Sequence, residues 1–509
     1  MPYLLGIDFG TTNVKAVVYD TWGKALASAA VRTETEHQGP QRAVYPPDKV
    51  WSSIVSVIRQ VVAELGEAVG IEALAVASLG EAGVPLDGNG NWLYPAIVWF
   101  DSRTIEQHRW WEKEFGAEKV FAICGLLPGP IYSINKMMWL KEHEPHVHRR
   151  MAHWLCMADY ITYKLTGIYS TSYSLASRTM AFDLRERHWS PILLEAAGID
   201  PAIMPPPYPS GEVVGRVTEE AAAATGLLSG TPVAAGGHDH ICGALATQVF
   251  EEGPVLDSTG TAEALLTTVN EFRPERASHE LGLSYGCHVA RDRYYLVGGI
   301  LSSGGLVEWL RELFWPQRAG DESLYQVMVQ EAAASHPEGL FILPYITGGG
   351  APHRDPDARG TLFGLRSSHT RGDLLRAAFE SLSYELRALV EALEEFAGLE
   401  VTTLRAIGGG TKNELWLRLK ADITGKLVEV PALQESTALG AALLAGLGVG
   451  IYSDEREAVS RVYRTERTIP PDPAAFKRYS RYYDEIYREL YPLVRELYAK
   501  AARLTAVEG

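Results

Sequence analysis

Apolar residues along this chain follow two rhythms. YLLGIDFG at 3–10 is an apolar run closed by an Asp and a glycine, which predicts a buried strand. TTNVKAVVYD continues with β-branched residues, and TWGKAL holds a turn at Gly23. Together they predict a β-hairpin whose loop is DFGTT. From Asp48 to about Val69, Val50, Ile54, Ile58 and Val62 recur at helical spacing. IEALAVASLG reads as a further strand ending in glycine, WLYPAIVWFDSR as one ending at Asp101, and 104–115 as a helix. PAIMPPPYPSGEVVGRV (201–217) is Pro-rich with no helical period and reads as a surface connection. TPVAAGG (231–237) is a short strand opening onto Asp239. Beyond 249 the pattern starts afresh, with strands in PVLDSTGT, YYLVGGI and LRAIGGG and helices over 372–397 and 412–424. A long amphipathic helical region runs from Pro473 to Leu504.

GIDFGTT in the first half is echoed by VLDSTGT at 255–261. Each is a strand, an Asp and a short Gly/Thr turn, so the chain reads as two related α/β halves holding a ligand between their turns. STALGAALLAGLGVGIYS (436–453) carries no charge. It falls short of the roughly 20 apolar residues of a membrane span and reads as a buried helix ending in a glycine turn.

Composition narrows the partners. The 509 residues suit about two to four domains. A net charge of −16 disfavours non-specific binding to nucleic acid or an anionic membrane. Cys124, Cys156, Cys242 and Cys287 form no C-x-x-C pair, which argues against a zinc site or a disulfide framework. MPYLLGIDFG lacks the features of a signal peptide, so a cytoplasmic location is expected. The oligomeric state stays open, with a homodimer as one option.

Three Gly/Thr turns follow strands: DFGTT (8–12), DSTGT (257–261) and IGGGTKN (407–413). Such turns can cradle phosphate oxygens with backbone N–H groups and hydroxyls. No G-x-x-x-x-G-K-[ST] occurs, which excludes a P-loop. GLGVG at 446–450 follows a helix, which fits a Rossmann turn poorly. Asp8 opens the first turn and either caps it or orients the waters of a Mg²⁺ ion. Lys15 is a candidate phosphate partner. In HDH (238–240), His238 and His240 read as a metal pair, or Asp239 as a strand-end base. A metal reading needs further ligands, and His288, His336, His353 and His369 show no strand-end pattern to supply them.

GIDFGTTNVK, HDH, IGGGTKN and ESTALGAALLA stand in the order found in the FGGY carbohydrate kinases. RGTLFGLRSSHTRGDLLRAAFE (359–380) resembles that family's second signature, and IYSINKMMWLKEH (131–143) resembles its first, departing at Ile131. The resemblance spans nearly the whole chain. It implies two actin- or hexokinase-like (ribonuclease H-like) α/β domains with a cleft between them, residues 1–248 for the sugar and 249–509 for ATP. It also implies Asp239 as catalytic base and Asp8 as the Mg²⁺-orienting carboxylate. Gly10, Thr11, Thr12 and Lys15 would face the phosphates from the first domain, and Gly260 and Thr261 from the second. Gly304, Gly409, Gly410 and Asn413 would line the nucleotide pocket. Glu81, Trp99, Asp101, Asp239 and His240 would bind the substrate.

Glu81 falls where glycerol kinases carry an acidic residue after an Arg, but Gly80 replaces that Arg and Ile131 the expected Tyr. Glu81 also replaces the His common in xylulokinases. Carboxylates accept hydrogen bonds from hydroxyls, so the expectation is a neutral ketose, such as xylulose or another pentulose, or a polyol. Two rival readings stand beside it. One is a metal-dependent hydrolase built on His238 and His240, and the other an actin-like ATPase without a sugar substrate.

Overall fold

The computed structural model describes residues 2–66, 70–274, 281–318 and 320–507. The first sheet is built from β1 (Tyr3–Phe9), β2 (Asn13–Asp20), β3 (Ala25–Arg32), β4 (Ile71–Ser78), β5 (Val213–Arg216) and β6 (Pro232–His238), in the order β5-β6-β4-β1-β2-β3. The β1–β2 hairpin is antiparallel, as the pattern predicts, but Asp8 pairs with Lys15 and Phe9 with Val14, so the loop is shorter than the expected DFGTT and begins at Gly10. β4 and β6 run parallel to β1. Helix α1 (Pro47–Leu65) covers this sheet with Val50, Ile54 and Ile58 buried. It stops short of the expected end because Gly66 turns out at φ 78; Val69 lies outside the described residues. Helix α2 (Asp239–Ala246) starts directly from β6.

The second sheet repeats the plan. Its strands β7 (Pro254–Thr259), β8 (Glu263–Val269), β9 (Ser284–Cys287), β10 (Tyr294–Ile300), β11 (Thr403–Gly408), β12 (Leu427–Pro431) and β13 (Thr465–Ile469) lie in the order β9-β10-β8-β7-β11-β12-β13. β7 pairs antiparallel with β8 and parallel with β11, as β1 does with β2 and β4. The echo of GIDFGTT in VLDSTGT is therefore a repeat of topology. Helices α3 (Gly304–Phe314), α4 (Arg371–Ala397) and α5 (Glu414–Thr424) belong to this half.

Helix α6 (Ser436–Gly448) is the uncharged segment, buried from Ala438 to Gly446. It packs on the first sheet, not the second. A Cβ on Gly6 of β1 would stand 1.8 Å from the Ala438 carbonyl oxygen, and one on Gly440 would stand 1.9 Å from that of Cys242. These contacts require glycine. They also cross the expected division at 248/249, because the C-terminal half returns a helix to the first sheet. Among the described residues no helix is long and apolar enough to cross a membrane.

Four local expectations need correction. WLYPAIVWFDSR forms only a two-residue strand at Ala96–Ile97. Pro95 lacks the ladder donor, and the chain turns at Val98–Asp101, where Asp101 N donates to the Val98 carbonyl. Helix Ile105–Trp110 widens into a π-helical turn, Trp111–Gly116. The 201–217 stretch is more than a connection, since its VVGR pairs antiparallel with β6 as the edge strand β5. The C-terminal region divides into helices Pro473–Tyr482 and Arg488–Val507 around a π-helical turn.

Candidate active site

Parallel strands β1, β4 and β6 end level with one another, Phe9 and His238 both standing opposite Ser78. The residues that follow them meet at the carboxyl edge of the sheet, the position where open α/β sheets bind ligands. Asp239 opens α2, so the helix N-terminus favours its anion. Its Oδ1 accepts the His240 backbone N–H at 2.7 Å and lies 3.4 Å from His238 Nε2. Burial works against the Asp239 anion, but the flanking histidines and that N–H hold its pKa below the usual value. Burial pulls His238 down to about 4. It is neutral at pH 7. No hydrogen bond among the described residues reaches Asp239 Oδ2, and 21% of the side chain is exposed.

Asp8 stands nearby on β1. Burial, then the charge of Asp239, pushes its carboxyl up to about 8, with Lys15 acting against them. Asp8 Oδ1 is buried with no hydrogen-bond partner. An unpaired carboxylate oxygen beside a second carboxylate fits a hydrated Mg²⁺, which usually takes one or two carboxylates and keeps several waters. Lys15 is not free to meet a phosphate in this state, since its Nζ binds both carboxylate oxygens of Glu435, at 2.7 and 3.0 Å. Thr11 Oγ1 accepts the Trp99 indole N–H at 3.0 Å. Thr11 and Thr12 line a recess with Arg32 and His37.

The substrate candidates separate. Trp99 is partly exposed beside Thr11 and edge-on to Phe100. His240 is exposed next to the His238 ring. Glu81 is buried, and its Oε1 accepts Arg178 Nε at 2.8 Å and Nη2 at 2.5 Å. Asp101 does not face the cleft. Its Oδ1 accepts the Arg103 N–H and Nε, and its Oδ2 accepts Arg103 Nη2 and the Ala43 N–H, at 2.7–2.9 Å. With both oxygens filled and no exposure, Asp101 holds the 98–103 turn in place and is not a sugar ligand.

In the second half, Gly260, Thr261, Gly304, Gly409, Gly410 and Asn413 line one cavity of about 1070 Å³. Trp309, Val329, Phe379 and Trp416 give it apolar walls suited to a nucleobase. A Cβ on Gly304 would stand 2.4 Å from the Gly260 carbonyl oxygen, and one on Gly410 would stand 2.7 Å from Thr259 Cγ2. The amides of Gly10, Gly260 and Gly304 are spent on Asn13, Ala262 and Gly260 carbonyls. These three glycines shape the turns and do not donate to a phosphate. Beneath the cavity lies a network the sequence did not reveal. Lys420 Nζ donates to Asp257, Thr259 and Glu263 at 2.6–2.8 Å, all four residues being buried. Ser303, just before α3, closes it on the other oxygen of Glu263 at 2.5 Å.

Two lobes of one topology, with a carboxylate pair at the edge of one and a glycine-lined cavity in the other, define a nucleotide-dependent phosphotransferase of two α/β domains. The chain belongs to the FGGY family of carbohydrate kinases, whose N-terminal domain matches residues 3–246 and whose C-terminal domain matches 256–449. It is 31% identical over 500 residues to a xylulose kinase of Bacillus subtilis (strain 168), covering 98% of each chain. It is 33% identical over 484 residues to a glycerol kinase of Trichlorobacter lovleyi, covering 92% of this chain and 95% of that one. The crystal structure of xylulose kinase from Rhodospirillum rubrum superimposes with a TM-score of 0.90 at 29% identity, covering 98% of this chain and 100% of that one. The protein is thus a carbohydrate kinase that uses ATP and Mg²⁺ to phosphorylate a sugar or polyol. The hydrolase and sugar-independent ATPase readings are not favoured. Among the described residues no group of three or more His, Cys, Asp or Glu side chains is placed to hold a metal ion.

Proposed function

We propose that the acceptor is a primary hydroxyl of a small neutral ketose, such as xylulose or another pentulose, or of a polyol. The observation that carries this reading is Asp239, an anion with an unbonded Oδ2 beside a buried Glu81. In this reading Glu81 accepts substrate hydroxyls, and the exposed Trp99 indole and His240 flank the acceptor. Asp239 Oδ2 accepts the proton of the attacking hydroxyl. An ionised Asp is a weak base, but the transition state of phosphoryl transfer is loose, so the proton leaves late and positioning dominates. Asp8 would orient a hydrated Mg²⁺, which when bound offsets charge on the phosphates. Thr261, Gly409 and Gly410 hold the nucleotide from the second lobe, and Thr12 approaches from the first. Lys15 joins them once it leaves Glu435. Closure of the lobes excludes water, which otherwise competes as acceptor.

The relatives, a xylulose kinase and a glycerol kinase, bracket the acceptor. Gly80 and Ile131 weigh against glycerol. We place the reaction in the cytoplasm, with no nucleic-acid or membrane partner. The test is ADP release against a panel of ketoses, polyols and sugar acids. Turnover of a pentulose or another neutral acceptor is expected; a response to sugar acids alone would overturn the reading.

A further inference from the structure

Glu81, at the acceptor end of the cleft, is held by both its backbone and its carboxylate. Ser133 Oγ and Lys136 Nζ fix its backbone carbonyl at 3.1 and 2.9 Å. Arg178, just past the short helix Tyr173–Ala176, grips one carboxylate oxygen with two donors. The guanidinium stands over the Tyr132 ring at 5.5 Å. It is partly buried at the junction of the lobes, where Tyr295 of β10 feels its charge. No hydrogen bond among the described residues reaches Glu81 Oε2. His238 Nδ1 is buried without a hydrogen-bond partner, so the site holds a polar atom that a ligand can satisfy.

Gly80 makes the grip possible. A Cβ there would stand 2.8 Å from Arg178 Cγ, 2.9 Å from its Cβ and 2.6 Å from His238 Cδ2. The stem of Arg178 and the His238 ring fill the space a side chain at 80 would need.

The charges around this point are unequal. Glu81, Asp239 and Asp8 are carboxyl groups, and Glu81 and Asp239 feel one another. Burial would raise the Glu81 carboxyl, but the charge and hydrogen bonds of Arg178 outweigh it and hold it below the usual range. A free guanidinium beside a sugar site would bind a carboxylate bidentately. A guanidinium already neutralised by Glu81 does not.

We propose that Arg178 sets the acceptor class of this kinase. By occupying Glu81 Oε1 it presents Oε2 as a fixed acceptor for the hydroxyls of a neutral polyhydroxy substrate. Because it is itself neutralised, it offers no partner to a sugar acid. This rests on the neutral-acceptor reading above. Arg178 is a positioning residue for Glu81, and Gly80 is the vacancy that admits it.

The test is steady-state kinetics of the full chain with the neutral acceptor found in the panel and with the aldonate of the same carbon number. Arg178→Met removes a charge-assisted grip, so the neutral-acceptor KM should rise about 30-fold. The ATP KM should stay within about twofold, which separates this from general loss of structure. Arg178→Lys, lacking the planar fork, should fall between. Glu81→Gln frees the guanidinium and should move selectivity toward the aldonate by about 100-fold. If Arg178→Met does not fold, because it strands a buried carboxylate, Arg178→Met/Glu81→Gln removes both charges and should still raise the neutral-acceptor KM. An acceptor KM unchanged in the variants, a parallel rise in the ATP KM, or unchanged selectivity in Glu81→Gln would overturn the proposal. If the unmutated enzyme takes the aldonate in preference, the neutral-acceptor reading itself fails. If it takes the neutral acceptor and the variants change nothing, only the role of Arg178 falls.

Discussion

Lys420→Met should destabilise the second lobe and loosen its nucleotide site together. Lys420 is 2% exposed and holds two carboxylates and the Thr259 hydroxyl with three hydrogen bonds. Methionine keeps most of the volume and removes the charge, leaving Asp257 and Glu263 facing one another in a buried site. Breaking a buried ion pair from one side costs about 3–5 kcal/mol. At about 2–4 °C per kcal/mol for a domain of this size, the melting temperature should fall by roughly 6–20 °C. Thr259 and Gly304 line the nucleotide cavity, and Thr259 and the neighbouring Ser303 belong to the network. Misplacing them should raise the ATP KM by about tenfold, while the acceptor KM changes little. Lys420→Met/Asp257→Asn/Glu263→Gln, with no charge left to strand, should recover at least half of the lost melting temperature. Scanning calorimetry and steady-state kinetics read both effects. A fall of less than about 2 °C with an unchanged ATP KM would refute the reasoning, since it is the size expected of a surface change.

Other tests probe neighbouring links. Burial raises the Glu263 carboxyl to about 7, above its value in an unfolded chain, with Lys420 acting against it. The folded state therefore binds the extra proton, and this contribution to stability is present below about pH 4.5 and lost as pH rises through about 7; urea titrations at several pH values should show that loss flattened in Glu263→Gln. Gly6→Ala forces a methyl against the Ala438 carbonyl and should cost about 1–3 kcal/mol or more by the same titration, lifting α6 from the first sheet; full stability would contradict that packing. Asp8→Ala should raise the Mg²⁺ concentration for half-maximal rate by about 10–100-fold, and an unchanged metal titration would remove Asp8 from that role.

What could be read from the sequence followed from local physics. The β1–β2 hairpin, its repeat at β7–β8 and the uncharged helix α6 declare themselves through period, glycine and the absence of charge. Gly260, Gly409 and Gly410 were legible because they sit in Gly/Thr turns after strands, whereas Gly304 came only from the family resemblance. Their role was less legible, since hydrogen bonds inside the turns use up some of their amides. Arg178 and Glu81 are 97 positions apart, and Lys15 and Glu435 are 420 apart. No periodicity couples such pairs, so only the fold reveals that these charges are paired. Asp101 is different, because its partner Arg103 lies two residues on. The D-x-R spacing in WFDSR was a visible signal that the carboxylate folds back on its own turn.

The central claim is that Asp239, and not the two histidines around it, is the functional group of HDH. It is tested most directly by Asp239→Asn, which keeps the size of the side chain and the start of α2. Phosphoryl transfer to the acceptor should fall by about 10³-fold, while calorimetric binding of a Mg²⁺–ATP analogue stays within about twofold of the unmutated protein. Turnover within about tenfold of the unmutated enzyme would contradict the account, because a base within reach of the hydroxyl contributes about 10²–10⁴-fold.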